Sequence, residues 1–111
     1  MRNKIIVEKT FEKPAKHLAK RYPSLPSDLL SLIVQLESNA MLGNSLGGNL
    51  RKVRLAIKSK GKGKSGGARV IIYVYLEGSR VHLLTIYDKS ERENISHTEL
   101  ETLVKEIRKE K

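Results

Sequence analysis

The sequence predicts an α+β fold in the order strand, two helices, three strands, helix. Three observations carry that prediction. Apolar residues recur every three or four positions over residues 11–40 and again over 100–107. Over 50–58, 68–76 and 80–87 they alternate or run continuously through β-branched and aromatic residues, and glycine-bearing breaks separate the two regimes. The 111 residues amount to one domain with one core, spanning 1–111, and leave no room for a two-lobed enzyme.

Lys4–Lys9, KIIVEK, is β-branched and bounded by charge, which reads as a strand. From Phe11 the residues Phe11, Ala15, Leu18, Ala19 and Tyr22 share one helical face, and Lys13, Lys16, Lys20 and Arg21 take the other. Pro14 is tolerable in the first turn, where a missing N–H breaks no intrahelical bond. Tyr22-Pro23 ends this helix. A second begins near Ser24, with Pro26 in its first turn, Asp28 near the positive end of its dipole and a stripe of Leu25, Leu29, Ile33, Leu36 and Ala40. So short a connection makes the two an antiparallel hairpin laid on something flat.

Gly43 and Gly47-Gly48-Asn49 mark a loop. In the strand expected over Leu50–Lys58, Arg51, Val53, Leu55 and Ile57 point one way, and Leu50, Lys52, Arg54, Ala56 and Lys58 the other. KGKGKSGG, residues 60–67, reads as a flexible basic loop, and ARVIIYVYL, residues 68–76, as the strongest strand, with Arg69 on the parity of Ile71, Tyr73 and Tyr75. Glu77-Gly78-Ser79 is a turn, and Arg80–Tyr87 returns as the last strand of a meander, its continuous apolar run indicating cover on both faces. Ser96 and Glu99 have capping-box spacing, Ile95 is placed to staple onto Leu100, and Leu100, Leu103, Val104 and Ile107 stripe the final helix.

Charge narrows the partner. The formal net charge is +10, and Leu50–Arg69 contains eight of the 22 basic residues with no acidic one. A field of that sign on so small a body calls for a polyanion, with nucleic acid first. No cysteine is present, which removes disulfides, thiol nucleophiles and thiolate metal sites and points to a reducing compartment. No apolar run reaches the roughly 18 to 20 residues of a membrane span. We therefore expect a cytoplasmic protein with no membrane partner.

The motifs that imitate nucleotide sites fail on context. Gly61, Gly63 and Gly66 spell G-x-G-x-x-G, but a strand rather than a helix follows; Gly63-Lys64-Ser65 resembles the end of a phosphate-binding loop, but the leading glycine position is Lys58. His17, His82 and His97 have no metal-ligand spacing, so neither metal nor cofactor is expected. Arg54 and Arg69 sit within strand patterns, where a guanidinium suits bidentate phosphate contact. Arg51, Lys58, Lys60, Lys62 and Lys64 either grip RNA or form a solvated face. Tyr73, Tyr75 and Tyr87 read first as amphipathic sheet residues.

The run LRKVRLAIKSKGKGKSGGARVIIYVYL, followed by LLTIYDKSERENI, resembles the RelE/ParE superfamily of toxins from toxin–antitoxin pairs, most closely its HigB-like branch. The FEKPAKHLAKRYPSL segment and the element order extend the likeness over nearly the whole chain. The resemblance implies a RelE-like compact domain, an antiparallel-dominated sheet of about four strands with the hairpin on one side and a concave basic face on the other. It implies a ribosome-dependent mRNA endonuclease acting in the A site, by attack of a ribose 2′-OH on the adjacent phosphate. A cognate antitoxin would neutralise it, by covering the basic face or by blocking ribosome entry elsewhere. A gyrase-poisoning toxin of the ParE type and a non-catalytic RNA-binding module are the alternatives.

Residue by residue, the resemblance places Lys52 and Arg54 at the two basic positions of the family's second strand, Arg69 at the arginine opening the third and Lys89 at the basic position after the fourth; on that footing we expect Arg54 and Arg69 to stabilise the phosphorane and Lys52 to act as the base. Lys89 would assist the leaving oxygen or the phosphate. Several relatives carry a catalytic Tyr or His where the last helix begins; the aligned residue is Ile95, which transfers no proton, leaving Tyr87 or His97 for that role.

Overall fold

The structure, a computed structural model, describes residues 2–61 and 63–109. Strand β1 (Lys4–Val7) leads into helices α1 (Lys9–Arg21) and α2 (Leu25–Ser38). A short hairpin of β2 (Asn44–Gly47) and β3 (Leu50–Leu55) follows, then a 3-10 turn (Lys58–Lys60) and a single helical turn, α3 (Gly63–Gly66). Strands β4 (Ala68–Tyr75) and β5 (Arg80–Asp88) and helix α4 (His97–Lys109) complete the fold. The sheet order is β1-β5-β4-β3-β2, antiparallel throughout except for the β1–β5 pair. Among the described residues, no helix is long and apolar enough to cross a membrane.

The α+β class and the meander β3–β4–β5 are as the sequence predicts, and the sheet has five strands rather than about four. The added strand, β2, comes from the segment expected to be a loop. Asn-Ser-Leu-Gly has little strand character of its own and is extended because it pairs with Leu50–Lys52. The parallel edge follows from the hairpin: α1 and α2 carry the chain across one face, and β1 lies beside β5 running the same way.

The hairpin covers one face of the sheet. Phe11, Leu18, Leu25, Leu32 and Leu36 from the helices meet Val53, Leu55, Val70, Ile72, Val81, Leu83 and Ile86 from the strands. The stripe of α2 is centred on Leu25, Asp28, Leu32 and Leu36, with Leu29 and Ile33 at its margin. Pro14 stands past the first turn, because α1 begins at Lys9; it removes the amide that the Thr10 carbonyl would accept. On the opposite face Leu100 and Ile107 of α4 pack with Ile71, Leu84 and Tyr87. Ser96 caps α4 through its hydroxyl, which accepts the Glu99 N–H at 3.1 Å.

A bulge in β5 links the two faces. Ile72 is opposite Leu83 but Ile71 is opposite Thr85, so Leu84 is surplus to the register. Leu83 and Ile86 consequently share the hairpin-side core, while Leu84 and Tyr87 share the other.

Candidate nucleic-acid site

Strand parity builds the site on the face away from the hairpin. Arg54 of β3 is opposite Arg69 of β4, which is opposite Tyr87 of β5, so the three form one row across the sheet. In the next row Lys52 is opposite Ile71, and Ile71 opposite Thr85. Lys89 follows β5 on the parity of Tyr87, its N–H bonded to the Gly67 carbonyl at 3.1 Å. The structure thus gathers Lys52, Arg54, Arg69, Tyr87 and Lys89 from three strand segments onto one face.

These residues differ in availability. Arg54 is exposed. Lys52 is half-buried, its ammonium 3.4 Å from Asn94 Oδ1. Arg69 is buried and already employed: Nη1 donates to the carbonyls of Lys64 (3.0 Å) and Ala68 (3.1 Å), and Nη2 to that of Ser65 (3.1 Å). It thereby caps the carbonyl end of α3, which is why the described part of the expected flexible loop includes a helical turn at Gly63–Gly66. Burial, and then the neighbouring Arg54 charge, lowers the Arg69 pKa; an arginine nevertheless stays protonated. Nε–H and one Nη2–H remain for a ligand.

Tyr87 is buried, and its hydroxyl makes no hydrogen bond among the described residues. Burial raises its pKa, against the opposing pull of Arg69 and Arg92, so it holds its proton at neutral pH. The Arg92 guanidinium lies over its ring at 5.1 Å and is held by Glu99, with Nη2 to Oε1 at 2.7 Å. That bond raises the Arg92 pKa and lowers that of Glu99. The other candidate acid, His97, projects from the start of α4 with most of its side chain exposed and pairs with Glu101 at 3.0 Å.

Two residues expected to grip RNA do other work. Arg51 has the parity of Val53 and lies on the hairpin side, where Nε donates to Leu42 O (2.9 Å) and Nη2 to Met41 O (3.1 Å) and Gly43 O (2.8 Å). It ties down the approach to β2. Lys60 is folded inward, with Nζ 2.5 Å from Asp88 Oδ1 and 3.1 Å from Ser90 Oγ. Lys58 and Lys64 are exposed, as a contact role requires. Lys62 lies outside the described residues.

The sequence assigns no role to Asp88, Arg92 or Asn94, although Asp88 lies in the Tyr87-Asp88-Lys89 segment that carries part of the family resemblance. Asp88 accepts from Tyr22 Oη (2.6 Å), Lys60 Nζ and Ser90 Oγ (2.7 Å), so it joins the end of α1, the 3-10 turn and the end of β5. Burial alone would raise its pKa; the bonds from Lys60, Tyr22 and Ser90 outweigh this and hold it well below the usual carboxylate range. Arg92 and Asn94 sit in an irregular segment without periodicity, and only the fold brings them to Tyr87 and Lys52.

Comparison with known proteins bears on the family and the fold. Residues 3–110 match the family model of the RelE toxin of the RelE / RelB toxin–antitoxin system. The fold is similar to that of the isolated Escherichia coli RelE toxin, with a TM-score of 0.59 at 17% identity over 95% of this chain and 98% of that one. A double arginine-to-alanine mutant of E. coli RelE in the free state gives a TM-score of 0.60 at 14% identity, over 84% of this chain and 90% of that one. At such identities the structures speak for the fold, and the family model, covering nearly the whole chain, speaks for kinship: the chain belongs to the RelE toxin family.

Proposed function

We propose that this protein is a toxin that cuts mRNA on the ribosome and is neutralised by a cognate antitoxin. The observation that carries the proposal is the row Arg54–Arg69–Tyr87, flanked by Lys52 and Lys89 on one face. In the reaction a ribose 2′-oxygen forms a bond to the adjacent phosphorus and the bond from phosphorus to the 5′-oxygen breaks, leaving a 2′,3′-cyclic phosphate and a 5′-hydroxyl. Negative charge grows on the phosphoryl oxygens in between, and fixed cations stabilise it without reorganising.

Exposed Arg54 makes the direct contact. Arg69 contributes its charge and up to two N–H groups while keeping α3 in place, so it acts partly as a positioning residue. Lys52 is the candidate base for the 2′-OH, and Lys89 supports the phosphate or leaving oxygen. Tyr87 is the candidate acid: it is protonated and stands next to Arg69, whereas His97 projects from the start of α4. Its hydroxyl is buried, so it serves only once uncovered.

Inducible expression with mapping of mRNA 5′ ends, with and without the antitoxin, tests this reading. Wild type should arrest growth and leave cuts within codons, and Arg54→Ala should reduce cutting by about 10²-fold or more. Wild-type cutting by Arg54→Ala would remove the site assignment. DNA breaks without mRNA cuts would indicate the gyrase-poisoning alternative, and neither lesion a purely binding module.

A further inference from the structure

A groove of about 560 Å³ lies between β3 and α2, beside the Arg54–Arg69–Tyr87 row but outside it. Its surfaces differ in chemistry. Lys52, Arg54, Lys58 and Lys64 supply one wall, and the side chains of Arg54, Lys58 and Lys64 have no hydrogen-bond or ion-pair partner among the described residues. Leu32, Val53 and Leu55, all buried, form an apolar floor. Ser31 and Gln35, one helical turn apart on α2, make the opposite wall. Both are exposed, and neither the hydroxyl nor the amide has a partner among the described residues. The carboxylate in the lining, Asp28, is buried and already accepts from Ser24 Oγ at 2.7 Å and the Lys58 N–H at 3.2 Å.

We propose that this groove holds a nucleotide of the RNA strand flanking the bond to be cut, and that Gln35 reads its base. The inference rests on the RNA-cutting function proposed above and adds a specificity-determining residue to it. Unpaired cations along one wall call for an anion. A nucleotide has the three parts that the groove complements: a phosphate for the cations, an apolar base face for the floor and a polar base edge for α2. The α2 wall carries no free charge, so it selects by hydrogen-bond pattern. A glutamine amide offers an acceptor beside donors and pairs in bidentate fashion with the amino group and adjacent ring nitrogen of adenine. The Ser31 hydroxyl donates or accepts, so it tolerates any base. Adenine is therefore the expected base, at one position beside the cut, because the groove adjoins Arg54.

Two readouts test this, one with cleavage and one without. On induction of the full chain, mapped mRNA 5′ ends should show adenine enriched about tenfold at one fixed position flanking the cut. Gln35→Ala should flatten that position and still cut. Gln35→Glu, which accepts hydrogen bonds and donates none, should move the preference from adenine to cytosine. A profile unchanged by Gln35→Ala would overturn the proposal, as would a wild-type profile with no preference at any flanking position. In an NMR titration, 2′-O-methyl oligoadenylate, which cannot be cut, should shift the backbone amides of Ser31, Leu32 and Gln35. It should bind about tenfold more tightly than 2′-O-methyl oligouridylate, a margin lost in Gln35→Ala. Unmoved α2 amides, or equal binding of the two oligonucleotides by wild type, would sink the groove assignment whether or not the chain cuts RNA. A positive titration without mRNA cuts would uphold nucleotide reading by Gln35 and count against the cleavage function alone.

Discussion

At Asp88 one buried carboxylate holds together three segments far apart in the chain: Tyr22 closing α1, Lys60 in the 3-10 turn and Ser90 after β5. Asp88→Asn should destabilise the protein by about 2–4 kcal/mol, since it leaves a buried lysine without its counter-charge. Because the folded-state pKa is depressed, the stabilisation is full above the unfolded value of about 3.9 and fades as pH falls below it. The gap between wild type and Asp88→Asn in urea midpoint should therefore shrink from pH 6 to pH 3. A constant gap would show that Asp88 does not act through its charge. Tyr87→Phe should go the opposite way on stability, neutral or higher by about 1 kcal/mol, because it removes a buried hydroxyl without a partner. If Tyr87 is the acid, cleavage by the same variant falls by about 10²-fold or more. At this scale the sequence was informative where function depends on parity. Alternation alone put Lys52 and Arg54 on one face and Arg69 with Ile71. It was silent on Lys60, whose partner is 28 residues away, and on Arg51, whose charge says nothing about the three carbonyls it serves.

The elements divide in the same way. Helices α1, α2 and α4 and strands β3, β4 and β5 announce themselves because burial imposes a period on their own residues. Strand β2 exists only through pairing, and α3 through the Arg69 guanidinium at its carbonyl end, so neither has a local pattern to detect. This dependence makes both easy to break. Gly43→Ala would place its Cβ 2.2 Å from the Lys52 carbonyl oxygen at a left-handed φ, and should cost at least about 2 kcal/mol or unzip β2 from β3. Faster exchange of the Ser45 amide with β4 and β5 still protected would identify the second outcome. Arg69→Ala should release α3 as well as removing charge, so Arg69→Lys, which keeps the charge but not the fork, should lose much of the same activity.

For the molecule as a whole the decisive quantity is how many of its cations are free. Lys52, Arg54, Lys58, Lys64 and Lys89 are available to phosphates, whereas Arg51 and Lys60 are spent on the fold. Binding of single-stranded RNA should then weaken with salt at a log–log slope of about −3 to −4. Arg51→Ala and Lys60→Ala should lower stability but leave that slope unchanged, while Lys58→Ala should make it shallower by about 0.7. Composition cannot make this distinction, because the +10 charge counts every lysine alike. The surplus residue at Leu84 decides what change of length the strand can bear. Deleting it would leave Leu83 and Thr85 adjacent opposite Ile72 and Ile71, so the pairs on either side would stand, Tyr87 would remain opposite Arg69, and the loss would be the Leu84 side chain from the far-side core. An unbulged strand shortened by one residue turns over beyond the cut; here the bulge takes up the slack, so the face that can do chemistry should survive a deletion at this point.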